Sequence, residues 1–379
     1  MSDARPAPPA ALRGVVVPAT RLQGVDVARA LALLGMMATH VGGVADQVDW
    51  SDPATLVAVA HGRSSTLFAV LAGVSIGLTS GRADPPGPPA IGRVRARLVV
   101  RAAVVVAVGL LLMALQTPVY VILPTYGVLF VLAVPILRVR ARGLVVLAAA
   151  CAVLSPVVAL ATAPLYADAG TWEAQLGLVY PVVTFLAYLL VGLAAARADL
   201  SSRSTQVVLL VAGTAAATAA YTLGYLVAPL PADAEAAFPG VPSAGTASTP
   251  AQVLAQVFLS PRDHSSSTVD VVGTAGVAVA VLALCGLLVD GRGAQVARLV
   301  SPLAAVGSMP LSVYAGHLVV LAALPVYPAS ASAWAWFAVG SVVFALVWCR
   351  FLGRGPLERL TARLARVVPD PAAPAHAGR

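Results

Sequence analysis

Charged residues are scarce in this chain: only 11% of its 379 residues are Asp, Glu, Lys or Arg, whereas 59% are hydrophobic. A soluble domain usually carries about 25% charged residues, so the composition excludes a soluble catalytic domain of any size. The mean hydropathy of +0.89 indicates instead a protein whose chain crosses a membrane several times.

Cysteine is also rare, and lysine is absent. The cysteines Cys151, Cys285 and Cys349 all lie in apolar runs, so we interpret them as small buried hydrophobic residues and expect neither a disulfide framework nor a metal site. All 24 basic residues are arginine, which we attribute to genomic composition. The first twenty residues contain no compact apolar segment before a cleavage site, so no cleavable signal peptide is expected.

Ten runs are long and apolar enough to be candidate membrane helices, each of which needs about 20 largely apolar residues. The stretch TPVYVILP, at 117–124, is ambiguous and could be a re-entrant segment before the fourth helix. The sequence therefore predicts an all-α polytopic membrane bundle of about ten helices. The ten runs are roughly 24–45, 56–80, 97–116, 121–137, 143–163, 177–197, 205–228, 269–289, 303–325 and 332–352.

The distribution of arginine supports this count, because arginine-rich loops stay on the cytoplasmic side of a membrane. With ten helices and both termini in the cytoplasm, every arginine except Arg63 and Arg262 falls on the inner side. The net charge of +8 is then explained by topology, and no nucleic-acid partner is expected. We expect disordered cytoplasmic tails at 1–20 and 367–379 around a single transmembrane domain at 21–366.

Loops at 46–55, 164–176 and 229–268 are predicted to lie outside. The longest contains STPAQVLAQVFLSP, whose pattern is typical of an interfacial amphipathic helix. Near the C-terminus, RGPLERLTARLARV predicts a basic amphipathic helix on the inner face, for which membrane anchoring is the simplest role. We find no internal repeat and no inverted-repeat pair of broken helices, which argues against a secondary transporter.

Small residues recur on the second predicted helix. LFAVLAGVSIGL places Ala69, Gly73 and Gly77 at a four-residue spacing. Such a face allows two membrane helices to approach closely, and packing alone explains it.

Histidines collect on the predicted outer side. The rise of a helix places His317, His40, His61 and Arg63 about 6 to 11 Å below the outer boundary of the bilayer, with His264 in the loop above them. One interpretation is that each ring is neutral and bonds to a nearby carbonyl or hydroxyl group, while Arg63 reaches the lipid headgroups. Because ionisable groups in a bilayer are costly and normally face a partner, the shared depth favours a water-accessible pocket with a histidine as general base.

Arginines define a second candidate site at the predicted cytoplasmic end. Asp26 and Arg29 lie one turn apart where the first helix begins, and Arg93, Arg95 and Arg97 lie at the start of the third helix. Topology and an interfacial ion pair explain these residues without any ligand. Alternatively, they receive the phosphates of an anionic cytoplasmic ligand, which the planar guanidinium group suits.

Several of these motifs together resemble a known family. RLQGVDVARALALLGMMATHVGG, followed by STLFAVLAGVSIGL, resembles the N-terminal signature of heparan-α-glucosaminide N-acetyltransferase-like proteins. That signature is an Asp-x-x-Arg pair, a polar residue before Gly-Gly, and then a Phe-x-x-x-x-Gly helix. VGSMPLSVYAGHLVV is similar to the family's late helix. GPLERL and HSSSTVDVVGTAGVAVAVLALC resemble its bacterial branch, the domain-of-unknown-function 418 (YeiB-like) proteins, so that the resemblance extends from about 21 to 366.

The resemblance implies a transmembrane acyltransferase that takes an acyl group, most simply acetyl, from cytoplasmic acyl-CoA to a hydroxyl or amine of an extracytoplasmic sugar, glycan or lipid. It places His40 where eukaryotic relatives have a catalytic-site asparagine, and His317 at their late-helix histidine. The eukaryotic catalytic histidine follows helix one, but the corresponding stretch here, ADQVDWSD, contains no histidine. Either Asp46, Asp49 or His61 takes its place, or acyl transfer has been lost.

The acyltransferase hypothesis predicts specific partners for the protein and specific roles for its residues. The partners are the lipid bilayer of a bacterial inner membrane, acyl-CoA as donor substrate and the extracytoplasmic acceptor, with a homodimer as an open alternative and no metal. The competing hypotheses are a proton-coupled transporter or flippase of a small polar or lipid-linked substrate, and a non-catalytic membrane scaffold. The candidate residues are His40, His61 and His317 for catalysis; Arg63, Asp46, Asp49, His264 and Tyr314 for the acceptor pocket; and Arg29, Arg93, Arg95 and Arg97 for CoA.

Overall fold

The structure is a computed structural model that describes residues 22–44, 52–88, 90–166, 170, 179–228 and 249–368. Every regular element in these ranges is helical. The α-helices are α1 Gln23–Val41, α2 Arg63–Thr79, α3 Ala90–Met113, α4 Leu123–Ala133, α5 Ala141–Thr162, α6 Val182–Ala195, α7 Arg203–Val227, α8 Pro250–Leu259, α9 Thr268–Val289, α10 Ala294–Leu299, α11 Ser301–Ser308, α12 Pro310–Ala323, α13 Ala331–Phe351 and α14 Pro356–Ala365; 3₁₀ helices cover Pro53–Ala60 and Ala163–Tyr166.

All ten predicted spans coincide with helices, but not all of these helices have full length. Seven are long and apolar enough to cross a membrane, namely α1, α2 with the turn before it, α3, α5, α7, α9 and α13. The fourth and sixth predicted spans correspond to the shorter helices α4 and α6, and the ninth is the bent pair α11 and α12. The described part of the chain thus has seven or eight candidate spans by length and composition, which supports a polytopic membrane protein.

The break between α11 and α12 bends the chain by 84° at Met309. Met309 has φ −132° and ψ 56°, outside the helical region, because the ring of Pro310 disfavours a helical conformation in the preceding residue. Just before the break, Gly307 lies against α1 so closely that an added Cβ would meet the Asp26 carbonyl oxygen at 1.7 Å. The chain therefore packs along α1 through α11 and changes direction at Met309, before α12.

Helix α1 is central and α13 is peripheral. In the most apolar 18-residue window of each helix, 67% of the residues of α1 are buried, against 6% of those of α13. Close helix approach also occurs between α2 and α6, where an added Cβ on Gly73 would lie 2.0 Å from the Leu189 carbonyl oxygen. The predicted small face of α2 is thus a packing surface, and the residues on α1 and α2 occupy the protein interior.

The two predicted amphipathic helices are both present. In the long loop, α8 begins with a capping box between Thr249 and Gln252, and near the C-terminus α14 has no fully buried residue. The ambiguous stretch 117–124 is irregular until α4 begins at Leu123. The predicted tail at 1–20, all but the first two residues of the tail at 367–379, and residues 229–248 lie outside the described residues.

Candidate functional site

His40 and His317 are brought together from opposite ends of the sequence. Nδ1 of His40 lies 3.2 Å from Nε2 of His317, and the two rings meet edge to edge and nearly coplanar, with centroids 5.4 Å apart and 12° between their planes. His40 lies in the last turn of α1, whereas His317 lies in the middle of α12 and is 4% exposed. One neutral imidazole donates to the other, so the contact requires a defined tautomer of each ring.

Tyr314 supports this histidine pair from the same helix. Its ring meets the ring of His317 edge to face at 5.2 Å, and its hydroxyl accepts a bond of 3.4 Å from the backbone N–H of Ile122. Tyr314 is fully buried, so the non-helical segment before α4 fixes the orientation of a ring that packs on His317.

His61 lies close to two other histidines. It is near enough to His40 and to His264 to interact with both electrostatically. Its Nε2 is buried and has no hydrogen-bond partner among the described residues. His264 lies over the adjacent backbone, since an added Cβ on Gly62 would be 3.4 Å from the His264 Nε2. The histidines at this end of the bundle, which we call the histidine end, therefore form one neighbourhood around His61.

The loop before α9 holds His264 in an uncommon backbone conformation. His264 has φ 59° and Ser266 has φ 55°, a left-handed region that few non-glycine residues adopt. Protein around the imidazole lowers the pKa of His264 below its usual value, mainly through burial, and the adjacent carboxylate of Asp263 only partly offsets this. His264 is therefore held neutral and aimed toward the bundle.

Arg63 is paired rather than turned out to lipid. Its guanidinium donates to Asp263 at 2.8 Å and lies 5.4 Å from the centre of the Tyr221 ring. The Tyr221 hydroxyl is 3.1 Å from the Thr274 hydroxyl, which in turn donates to the buried carboxylate of Asp270 at 2.9 Å. A continuous polar network thus borders the histidine end.

A separate cavity of about 670 Å³ opens between α1, α2, α3, α4, α12 and α14. Its polar lining is dominated by Arg29, Arg97, Arg101 and Arg354, so we call it the arginine cavity. Its size is typical of small-molecule sites. Arg29 is anchored there, because it donates to Asp26 at 2.5 Å and to the Ser75 hydroxyl at 3.1 Å.

Arg101 is the deepest cation of the arginine cavity. It lies about 16 Å along α3 from the first residue of that helix, and its guanidinium is 5.8 Å from the centre of the Phe130 ring. Among the described residues it forms no ion pair with a carboxylate. An intramembrane arginine normally has a partner, so this position suits an anionic ligand.

The cavity contains only part of the predicted CoA-binding set. Arg29 and Arg97 line it, whereas Arg93 and Arg95 do not. Arg95 is two residues from Arg97, about 200° around the helix, so its side chain leaves α3 on another side. Of the predicted acceptor-pocket residues, Asp46 and Asp49 lie outside the described residues.

Sequence reasoning missed three charged residues of the cavity lining, namely Arg101, Arg354 and Glu358. Arg101 could have been found from its spacing, because it lies one turn beyond Arg97 on the same helix face. The other two belong to the C-terminal segment, whose folding back onto α3 and α12 leaves no local signal in the sequence.

Comparison with known proteins gives one finding. The family model described as heparan-alpha-glucosaminide N-acetyltransferase, catalytic, matches residues 21–225, more than half of the chain. No curated protein matches the chain. The matched range includes His40, His61, Arg29 and Arg97, whereas His317 lies beyond it.

Proposed function

This chain belongs to the heparan-alpha-glucosaminide N-acetyltransferase catalytic family, and on that premise we propose that it is an integral membrane acyltransferase. It transfers an acyl group, most simply acetyl, from acyl-CoA on the cytoplasmic side to a hydroxyl or amine of an extracytoplasmic sugar, glycan or lipid. The main support for the proposal is the arginine cavity. Its α4 wall lies next to Ile122, which donates to the hydroxyl of Tyr314 beside the histidine pair.

The donor binds in the arginine cavity. Guanidinium groups pair well with phosphate oxygens, and the cavity lining supplies four of them, from Arg29, Arg97, Arg101 and Arg354. Arg101 is the strongest support, since a partly buried arginine without a carboxylate in ion-pair contact gains most from an anion.

The acyl end of the donor points toward the histidine pair. Leu123 and Tyr126 line the cavity at its α4 wall, and Ile122, directly before them, donates to the hydroxyl of Tyr314. Tyr314 in turn packs against His317. A thioester at this wall would therefore need to pass only the Tyr314 ring to reach the pair.

His40 is the favoured general base. The contact between the two rings uses Nδ1 of His40 and Nε2 of His317. The ring nitrogens outside it are Nε2 of His40 and Nδ1 of His317. The His317 ring is buried against the backbone of Val313 and Tyr314 in its own helix, whereas His40 is partly exposed. His40 is thus the ring that an acceptor can reach, and His317 orients it.

The chemical step needs only these groups. The base takes the proton of the acceptor hydroxyl or amine while the oxygen or nitrogen of the acceptor attacks the carbonyl carbon of the thioester. The tetrahedral intermediate collapses, the C–S bond breaks, and the sulfur leaves with the bonding electrons and receives the proton from the protonated base. Acceptor ester or amide and free CoA thiol are the products, with no metal or redox step.

The acceptor is expected at the histidine end. Arg63, His264 and the network through Asp263 offer charged and polar partners for a hydroxylated acceptor there. Since a site built from hydrogen-bonding groups discriminates strongly against analogues that lack the matching group, these residues are the natural source of acceptor selectivity.

The proposal is tested by asking whether the protein forms a covalent product in detergent, where no membrane gradient exists. The purified protein in detergent is given radiolabelled acetyl-CoA and a panel of amino sugars, neutral sugars and glycolipids. The proposal requires labelled acceptor in equal amount to released CoA thiol, and loss of both in His40→Gln. Binding of acetyl-CoA with no turnover on any acceptor, and none in reconstituted vesicles, would contradict it.

A proton-coupled transporter or flippase is the second candidate, favoured by the broken span α11–α12. Half-helix ends at such breaks form substrate sites in known transporters, and intramembrane histidines can carry protons. This candidate needs two compartments and forms no covalent product, so the same assay in detergent and in vesicles separates the two.

A further inference from the structure

The carboxylate of Glu358 occupies the start of α12 at the edge of the arginine cavity. It accepts the backbone N–H groups of Leu311 at 2.8 Å and Ser312 at 3.2 Å, and also the hydroxyl of Ser312. The first N–H groups of a helix have no partner within the helix and carry partial positive charge. Glu358 therefore supplies the anion that this helix start attracts.

The contact is reciprocal between two helices. The Ser312 hydroxyl oxygen accepts the backbone N–H of Leu357 at 3.0 Å, so α12 caps α14 while α14 caps α12. Gly355 makes the close approach possible, because an added Cβ would lie 2.2 Å from Glu358 Oε2 and 2.6 Å from the Met309 Cβ. The position of the carboxylate is thus fixed by both helices.

Glu358 also faces the cations of the arginine cavity. Among the described residues that line the cavity it is the only carboxylate, in the company of Arg29, Arg97, Arg101 and Arg354. It is close enough to Arg101 to interact with it electrostatically. A fixed negative charge in this position opposes the entry of any second anion.

We propose that Glu358 is the internal counter-ion of the arginine cavity and limits its affinity for the donor phosphates. This inference rests on the proposed function, since the donor is what brings those phosphates. Without Glu358, the carboxylate of Asp26 would pair with Arg29 but no carboxylate would line the cavity. Its arginines would then bind a polyanion tightly and release it slowly, and slow product release limits turnover in many enzymes. Glu358 offsets part of that attraction and so favours departure of CoA.

The experiment measures binding, not turnover. Coenzyme A and adenosine 3′,5′-bisphosphate are titrated calorimetrically into the full-length protein in detergent, at low and high salt. Glu358→Gln keeps an acceptor oxygen for the N–H groups of α12 but removes the charge. We expect it to bind both probes about tenfold more tightly at low salt, as for one unit charge removed from a partly desolvated site, with a smaller gain at high salt.

Asp199→Asn is the matched control. Asp199 is an exposed carboxylate in the loop between α6 and α7 and does not line the cavity, so its loss changes the net charge equally and should leave both affinities unchanged. Should Glu358→Gln fail to fold, Glu358→Ala decides: it removes the same charge, leaves the N–H groups of α12 to water, and should also raise both affinities at low salt.

The outcomes separate the two claims. If the parent binds neither probe, the donor site of the proposed function is wrong, and this inference falls with it. If the parent binds both but Glu358→Gln, or in its place Glu358→Ala, binds no more tightly than Asp199→Asn, the donor site stands and the role given to Glu358 is wrong.

Discussion

Nδ1 of His40 and Nε2 of His317 lie 3.2 Å apart, although 277 residues separate them in the sequence. The contact depends on α1 and on the second half of a broken span, so its geometry is set by the packing of Gly307 against α1 and by the turn at Pro310. The two rings are therefore expected to act as one unit rather than as two independent groups.

Replacing either histidine should abolish most activity without unfolding the protein. Glutamine at His40 or His317 is close in size but cannot act as a base, so the acyl-transfer rate should fall by about 10² to 10⁴, the usual effect of losing general acid–base catalysis. The double variant should be no slower than the slower single variant, because residues that act as a unit are strongly non-additive. Initial rates and thermal unfolding of all three variants check this. Multiplying effects in the double variant would mean that the rings act separately.

Donor binding should distinguish two arginines on the same helix. Arg101→Gln removes a cation from the lining of the arginine cavity, whereas Arg95→Gln removes an equal charge that does not line it. We expect the first to weaken coenzyme A binding about tenfold at low salt and less at high salt, because phosphate attraction is screened. The matched Arg95→Gln variant should stay within about twofold of the parent. Equal losses in both would mean that only the overall positive charge matters.

The helices were predictable from the sequence because a bilayer needs long apolar runs, and each of the ten predicted runs coincides with a helix. The interruptions in these helices were less predictable. TPVYVILP is apolar throughout but irregular up to Leu123, and hydropathy does not separate the two halves of the ninth span. The local signal for that break was Pro310, which acts on the residue before it.

For the site, the sequence predicted only the depth of each ionisable residue in the bilayer. Counting residues along helices placed four ionisable groups in one layer, but it cannot tell which helix faces lie together. It therefore predicted neither the contact between His40 and His317 nor the pairing of Arg63 with Asp263. Glu358 was assigned to membrane anchoring because its partners, Leu311 and Ser312, are distant in sequence.

Two glycines near the break should respond oppositely to the same change. Gly307→Ala adds a methyl group that would meet the Asp26 carbonyl oxygen at 1.7 Å, whereas Gly316→Ala adds one that meets nothing within 4 Å. We expect the first to lower the free energy of unfolding by about 2 kcal/mol or more, since overpacking forces backbone shifts. The second should be neutral or stabilising by up to about 1 kcal/mol, because alanine is the better helix former. Denaturation in detergent measures both, and similar stabilities would show that α11 can move away from α1.

Membrane sidedness follows from the ten-helix hypothesis. Ala329 precedes α13 and Ser201 precedes α7, and both are exposed. In a variant without the native cysteines, Ala329→Cys should react with an impermeant thiol reagent on intact cells, and Ser201→Cys only after the cells are opened. Reaction of both from outside would leave an even number of crossings between them and overturn the predicted topology.

The last prediction concerns the loop histidine that borders the site. Burial lowers the pKa of His264 below the value of 6.5 expected in the unfolded chain, so between these two values the unfolded state binds more protons than the folded state. The free energy of unfolding should therefore be unaffected by this group above about pH 6.5 and should fall as pH drops from there through the folded pKa. His264→Asn removes the titration while keeping a residue type that tolerates the φ of 59°. The free energies of unfolding of parent and variant at pH 8 show any change in packing. The further loss of stability between pH 8 and pH 5 shows the effect of protonating His264. A smaller loss of stability in the variant is expected over that range, and an identical loss would mean that His264 is protonated as readily in the folded protein as in the unfolded chain.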